Sequence, residues 1–303
     1  MDSITKKLAI VGLGALGSRA SLLLAEIGIN NFVLIDRDIV EEKNLERQKY
    51  GKEDVGKAKV NAISERLTRI RGKIKITRHF DNLDYTNAGK LLQGADLILD
   101  CTDNFETRFL INDFSVKYKV PFIYGAAIAD RGFVFNVIPE GACLKCILGD
   151  ARTNETCETS GILNETSDKV AELQVEVAMK ILSGKDYNNE LKHINISNQK
   201  FERFKVQKSP SCETCNGNFQ YLEGKKASKV AVLCGNSFLI RGSFDYRKVR
   251  ENLSKMNTNG NSQKDFGNAF IFDKLTVFDD GRALVRASSQ QEALSLFSRY
   301  VGN

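Results

Sequence analysis

The first hundred residues alternate between short, wholly apolar runs and stretches with a single apolar face. Leu8-Ala-Ile-Val11 is apolar throughout, as are Phe32-Val-Leu-Ile35 before Asp36 and Leu97-Ile-Leu99 within the run Ala95–Asn104. Such runs read as strands buried on both faces, in a parallel sheet covered by helices. The segment after the first run predicts a helix through about Ile27. In GKAKVNAISERLTRI, Val60, Ile63, Leu67 and Ile70 recur at helical spacing, so one face of that segment packs on the sheet. ETRFLINDFSVKY predicts another helix, as does the stretch from about Ser167 to Leu182. Residues 191–206 alternate like an antiparallel hairpin.

Past Gly217 the pattern changes. KVAVLC and SFLIRG read as short strands, FDYRKVRENLSKM as a helix and NTNGNSQKDFGN as a polar loop. FIFDKLTVFDDGRALVRA reads as a hairpin turned at Asp279-Asp280-Gly281, and SQQEALSLFSRYVG as a terminal helix with Ala293, Leu296, Phe297 and Tyr300 on one face. The expected fold class is α/β: a Rossmann-like, doubly wound, mostly parallel sheet, with antiparallel strands after it and a small C-terminal α+β domain. The expected division is residues 1–221 and 222–303, the second a docking or stabilising module.

Candidate chemistry begins at the first turn. Gly12, Gly14 and Gly17, with Ala15 between them, follow the first strand and open the first helix. Asp36 ends the second strand at the interval of about 20 residues seen in nucleotide-binding folds. Glycines let the backbone approach phosphate at a helix N-terminus, and the acid binds a ribose hydroxyl. A nicotinamide dehydrogenase would account for these residues. It leaves no purpose for Asn44, Arg47, Gln48 and Lys59, which fall on the ligand edge of the sheet. A nucleoside triphosphate does use such a set: arginine as a two-pronged donor, lysine as a point charge, and the amides to orient ribose or phosphate oxygens. Asp103 and Asn104 sit just past the strand Leu97–Asp100. A carboxylate there suits magnesium, which takes oxygen ligands and bridges phosphates. Asp103 is also a candidate N-cap for the following helix.

Composition narrows the classes further. No apolar stretch approaches the roughly 20 residues needed to span a bilayer, and the N-terminus is unlike a secretory signal, so a cytoplasmic protein without membrane contact is expected. A net charge of +6, no tryptophan and no basic run with interleaved aromatics give no nucleic-acid signature. Seven cysteines in a reducing compartment point to metal or thiol chemistry rather than disulfides. Cys143-x-x-Cys146 and Cys212-x-x-Cys215 are two knuckles that together complete a tetrahedral, closed, structural zinc site. Two redox dithiols are the rival reading. Cys101 and Cys234 fall in apolar runs and read as core.

Taken together, GLGALGS, IDRDIVEEKNLERQ, GKAK, LDCTDN and the paired cysteines resemble the ThiF/MoeB/HesA family, prokaryotic relatives of ubiquitin-activating enzymes, over residues about 6–216. The resemblance implies ATP- and magnesium-dependent adenylation of the C-terminal glycine of a small ubiquitin-like carrier protein ending in Gly-Gly, with release of pyrophosphate, by a homodimer. It gives Asp36 to the ribose, Asn44, Arg47 and Lys59 to the triphosphate, Asp103 to magnesium with Asn104 beside it, and the four paired cysteines to structural zinc. Cys157 matches the thiol that, in sulfur-transferring relatives, bonds covalently to the carrier, with Gln174 in the helix that follows. Relatives carry an arginine ahead of the first strand that reaches a neighbouring subunit's site. Here the resemblance leaves that charge to Lys6, Lys7 or another protein. Adenylation of a peptide or small carboxylate, and a non-catalytic family member acting as a binding partner, are the alternatives. A carrier-recruiting role for residues 222–303 is a further expectation.

Overall fold

The computed structural model describes residues 6–149, 163–185, 188–226, 230–233, 236–242, 244–256, 263–267 and 269–302, and every element and contact named below belongs to them. The chain forms two compact units, Met1–Ala227 and Ser228–Asn303.

In the first unit the parallel core is β1 (Leu8–Val11), α1 (Ala15–Ile27), β2 (Asn31–Asp36), α2 (Lys59–Arg71), β3 (Lys75–Phe80), α3 (Ala88–Leu91), β4 (Leu97–Asp100), α4 (Phe105–Tyr118) and β5 (Phe122–Ile128). After it come β6 (Arg131–Val137), α5 (Leu144–Leu148), α6 (Asn164–Leu182), β7 (Glu190–Asn195) and β8 (Lys200–Lys205). Eight strands form one sheet in the order β3-β2-β1-β4-β5-β6-β7-β8. The first five run parallel and the last three pair antiparallel. Leu8 and Ile10 of β1 point into a layer built with α1, α2 and α6, while Ala9 and Val11 point into one built with α3, α4 and α5. Period-two alternation in a strand apolar throughout thus feeds two cores at once, which is why the sheet is covered on both sides. The mostly parallel sheet followed by antiparallel strands agrees with the fold class expected from the pattern. Two elements differ in detail. α6 begins at Asn164, three residues before the expected Ser167, and β5–β6 is a tight antiparallel pair, interrupted by Gly125 and Gly132, in a stretch to which the sequence reading assigned no element.

Those two glycines let α6 lie close against the sheet. A Cβ on Gly125 would meet the Gln174 amide at 2.5 Å, and one on Gly132 would meet Val170 at 2.5 Å. Gln174, fully buried, donates to Asp100 O (2.9 Å) and Ile123 O (3.2 Å), tying α6 to β4 and β5. Cys101 stands beside it, its thiol 3.5 Å from Gln174 Oε1 and its pKa pushed far up by burial. This inert, enclosed cysteine fits the core role expected of it.

The second unit holds β9 (Val230–Leu233), β10 (Ser237–Arg241), α7 (Tyr246–Lys255), β11 (Gln263–Asp265), β12 (Ala269–Phe272), β13 (Leu275–Phe278), β14 (Arg282–Arg286) and α8 (Gln290–Tyr300). They form a six-stranded sheet, β11-β12-β13-β14-β10-β9, with α7 and α8 contributing Val249, Leu253, Ala293 and Phe297 to its core. The expected single hairpin over residues 270–287 is three strands. Asp273 adopts a left-handed φ of 54° and turns the chain between β12 and β13, ahead of the turn at Asp279–Gly281. The stretch expected to be loop also contributes β11. Among the described residues no helix is long and apolar enough to cross a membrane.

Gln174→Leu keeps the volume but removes the amide that serves two buried carbonyls. It is expected to lower stability by about 1–3 kcal/mol, read as a lower urea midpoint with an unchanged slope.

Candidate active site

The C-terminal ends of β1, β2 and β4 converge on the glycine turn, the place where an open α/β sheet binds its ligand. Gly12 has φ 85°, and a Cβ there would sit 2.7 Å from Cys101 O. A Cβ on Gly17 would sit 1.9 Å from Gly12 O. Gly14 is different: only the Gln48 side chain, 4.0 Å away, faces its missing Cβ. α1, which Ala15 opens, has no side-chain cap and no acidic residue in its first turn. The positive end of its dipole is thus open to an anion. Tyr50, which the sequence reading passed over, donates its hydroxyl to Leu13 O (2.6 Å) and braces the turn from below.

Asp36 is buried, and its two oxygens accept from Leu13 N (2.5 Å) and Asp38 N (2.7 Å). Burial raises its pKa and the Lys59 ammonium works against that rise. Lys59, the first residue of α2, is itself buried, with Nζ 3.2 Å from Asp38 Oδ2. Burial favours its neutral form, but the charges of Asp38 and Asp36 outweigh this and its pKa ends above the ordinary value. Asp38 also lies 3.7 Å from Arg37 Nε, and Arg37 Nη2 lies 3.4 Å from Asp103 Oδ1. A line of alternating charge, Lys59–Asp38–Arg37–Asp103, therefore crosses the sheet edge from the end of β2 to the end of β4. Arg37 and Asp38 are functional candidates the sequence reading missed. The signal was the run Asp36-Arg37-Asp38 at a strand end, where charges are otherwise costly.

Asn104, not Asp103, caps α4: its Oδ1 accepts from Thr107 N (2.8 Å) while its Nδ2 lies 3.4 Å from Asp103 Oδ1. Asp103 is left half-exposed at the mouth of the site. Asn44 is buried in a reciprocal turn, its Oδ1 accepting from Glu41 N (2.9 Å) and its carbonyl from Gln48 N (2.8 Å). Gln48 lies over Gly14 with its Oε1 enclosed and unpartnered, an acceptor that fits a ligand hydroxyl or ammonium. Arg47 is on the exposed rim of the same segment. The segment is fastened to α6 by Lys49–Asp168 (3.0 Å) and by Asn164 Nδ2 donating to Glu46 O (2.9 Å). Asp36, Gln48, Lys59 and Asp103 are thus brought around the glycine turn. Lys6 and Lys7 are at the opposite edge, bonded to Asp96 Oδ1 (3.2 Å) and Gln93 O (2.7 Å) ahead of β4. Cys157 and Cys234 lie outside the described residues.

The second candidate centre is the four-cysteine cluster. Cys143–Cys212 and Cys146–Cys215 sulfurs lie 3.5 and 3.6 Å apart, and all four lie within 4.8 Å of one another. Four sulfurs about 2.3 Å from a central zinc are roughly 3.8 Å apart, so the set fits a tetrahedral ion. Burial drives the Cys143 thiol far up and Cys215 up to about 11. A metal ion that binds such a set displaces the thiol protons as it does so. α4 anchors both knuckles: Asn112 Oδ1 accepts from Leu144 N (2.8 Å) and Asp113 Oδ1 from Thr214 Oγ1 (2.9 Å).

Comparison with known proteins agrees with this geometry. The sequence model of the ThiF family matches residues 4–214. The chain is 33% identical over 312 residues to the sulfur carrier protein ThiS adenylyltransferase of Bacillus subtilis, covering 97% of this chain and 92% of that protein. It is 34% identical over 215 residues to the molybdopterin-synthase adenylyltransferase of Escherichia coli, covering 69% and 86%. The crystal structure of Escherichia coli MccB with ATP shares the fold, with a TM-score of 0.63 and 24% identity over 70% of this chain and 68% of that one.

Gly17→Ala is expected to abolish folding of the first unit, and Gly14→Ala to leave its melting temperature nearly unchanged; circular dichroism melts of the two variants check the contrast. The cluster is expected to hold one zinc per chain. Cys212→Ser should remove that zinc, read by elemental analysis, and lower the melting temperature.

Proposed function

Because the chain belongs to the ThiF family of adenylyltransferases, we propose that it adenylates the C-terminal glycine of a small ubiquitin-like sulfur-carrier protein, with ATP as donor. The observation that carries this reading is the line of charge from Lys59 to Asp103 beside an uncapped helix N-terminus. A dinucleotide has little use for it, and a triphosphate under attack requires it. The names of the two curated relatives, both adenylyltransferases and one acting on a sulfur carrier, support the same substrate class.

In this reaction a carboxylate oxygen of the carrier's terminal glycine attacks the α-phosphorus. The bond from that phosphorus to the bridging oxygen breaks, giving acyl-adenylate and pyrophosphate. Backbone N–H groups at Gly14–Ala15 would face phosphate, and Asp36 a ribose hydroxyl. Asn44 holds the turn that presents Arg47 and Gln48. The ammonium of Lys59 and the guanidinium of Arg47 would stabilise negative charge that grows on the non-bridging oxygens. Magnesium, held by Asp103 with Asn104 beside it, would neutralise the triphosphate and polarise it for attack. Zinc at the four cysteines is structural. Cys157 is the proposed thiol for a later step, in which its thiolate attacks the acyl-adenylate, releasing AMP and leaving a thioester. The working form is a homodimer in the reducing cytoplasm. The C-terminal unit, which the Bacillus subtilis match spans, serves docking or stability.

ATP–pyrophosphate exchange, run with and without each small Gly-Gly-ended protein from the same organism, tests the reading. One carrier is expected to switch exchange on. Asp103→Ala and Arg47→Ala should each lower it by about 10²-fold or more, and Cys157→Ala should leave it unchanged. A protein that binds ATP but exchanges with no carrier would refute the assignment.

A further inference from the structure

The side chain of Arg37 is 14% exposed and that of Asp103 is 45% exposed. Arg37 Nη1 donates to Asn82 Oδ1 (3.2 Å), and its Nε lies 3.7 Å from Asp38. The arginine is thus the fixed, enclosed member of its pair, and the carboxylate is the member that faces solvent. Lys59, the other cation in the cluster, is engaged by Asp38. Across the edge of the sheet, Arg37 is a positive group in contact with Asp103.

We propose that Arg37 is a built-in placeholder for the divalent cation at Asp103: it holds the carboxylate in position, and the cation must displace it. The inference rests on the reading of Asp103 as the magnesium ligand. A guanidinium and a divalent ion compete for the same oxygens. Magnesium binds carboxylate oxygen at about 2.1 Å, and a third positive charge within a few ångströms of it is strongly repelled at such a partly enclosed edge. Two consequences follow. The ligand carboxylate is kept in place before any cation arrives, because its counter-charge is part of the scaffold. Cation binding is also held weak until nucleotide is present. Phosphate oxygens then give the released guanidinium a new partner, and each of the two ligands favours the other by the same factor.

The test is a titration of nucleotide-free protein with Mn²⁺, an oxygen-ligated stand-in for magnesium that is followed by its paramagnetic resonance signal. Arg37→Met is expected to bind Mn²⁺ about threefold to fivefold more tightly than the native chain, the worth of one partly exposed ion pair. Arg37→Gln, which keeps a donor for Asn82, should behave the same way, and a thermal melt confirms that both variants are folded. In an Asp103→Asn background the Arg37→Met change should have no effect on Mn²⁺ affinity. A general change of local field would persist in that background, and its persistence would overturn the contact mechanism. Equal affinity in Arg37→Met and native protein, with Asp103→Asn weaker than both, would overturn the placeholder while leaving Asp103 as the ligand. Binding that is indifferent to Asp103→Asn in the Arg37→Met chain would remove the magnesium assignment and the placeholder together.

Discussion

At Gly17 a methyl group would lie 1.9 Å from the carbonyl oxygen of Gly12, and at Gly12 one would lie 2.7 Å from the carbonyl oxygen of Cys101. The start of α1, the end of β1 and the end of β4 are therefore in backbone-to-backbone contact, with no side chain between them. Much of the site depends on that closeness. It sets the turn so that Leu13 N reaches Asp36, so that Tyr50 reaches Leu13 O, and so that residues just after β4 open beside the turn rather than away from it. Gly14 escapes the constraint because its open side faces the ligand space, with Gln48 across it.

The charges around this turn are held at a cost that their arrangement offsets. An isolated buried carboxylate or ammonium loses far more in hydration than packing returns. Asp36 is made tolerable by two backbone N–H groups and a buried lysine, and Lys59 by two carboxylates. Removing one member would strand another, so the set is interdependent in stability as well as in chemistry. The same logic explains why the line ends at Asp103. Asp103 is the most exposed member of the line, its side chain 45% exposed against 32% for Asp38 and 14% for Arg37, so a change of partner there strands the least charge in the interior.

Much of this was legible in the sequence because it rests on local rules. Strands apolar on both faces, a glycine turn opening a helix and an acid at the next strand end are each written within a few residues. The paired cysteines were legible for the same reason, since a knuckle is a local turn and two knuckles suffice for a tetrahedron. What escaped depends on contacts between distant segments. Gly125 and Gly132 interrupt the apolar pattern of β5 and β6, yet they are there because Gln174 and Val170, far along the chain, occupy the space. Asp273 looked like one more polar residue inside a strand, and its left-handed backbone makes it a turn. Arg37 and Asp38 read as charge at a strand end. Nothing in their spacing says that one faces Asp103 and the other Lys59. Arg47 illustrates the converse: its place in the sequence groups it with Lys59, while its side chain lies on the exposed rim.

The helix α4 joins the two candidate centres. Its N-cap is Asn104, next to Asp103, and two turns later Asn112 and Asp113 hold one cysteine knuckle each. Asp113 also accepts from Tyr221 N (2.9 Å) and Leu222 N (3.3 Å), and Tyr221 stacks on Phe109 of the same helix at 5.1 Å. A buried carboxylate that serves three donors is costly to strand, and burial already raises its pKa. The segment after β8 is therefore fixed to α4 through one side chain, and the four-cysteine cluster brings that segment together with the one after β6. The four-cysteine cluster and the charged edge of the sheet are thus joined through one helix. The cluster steadies the far end of the helix whose near end follows Asp103, and under the placeholder proposed above a carboxylate that passes from a guanidinium to a cation needs such a mount.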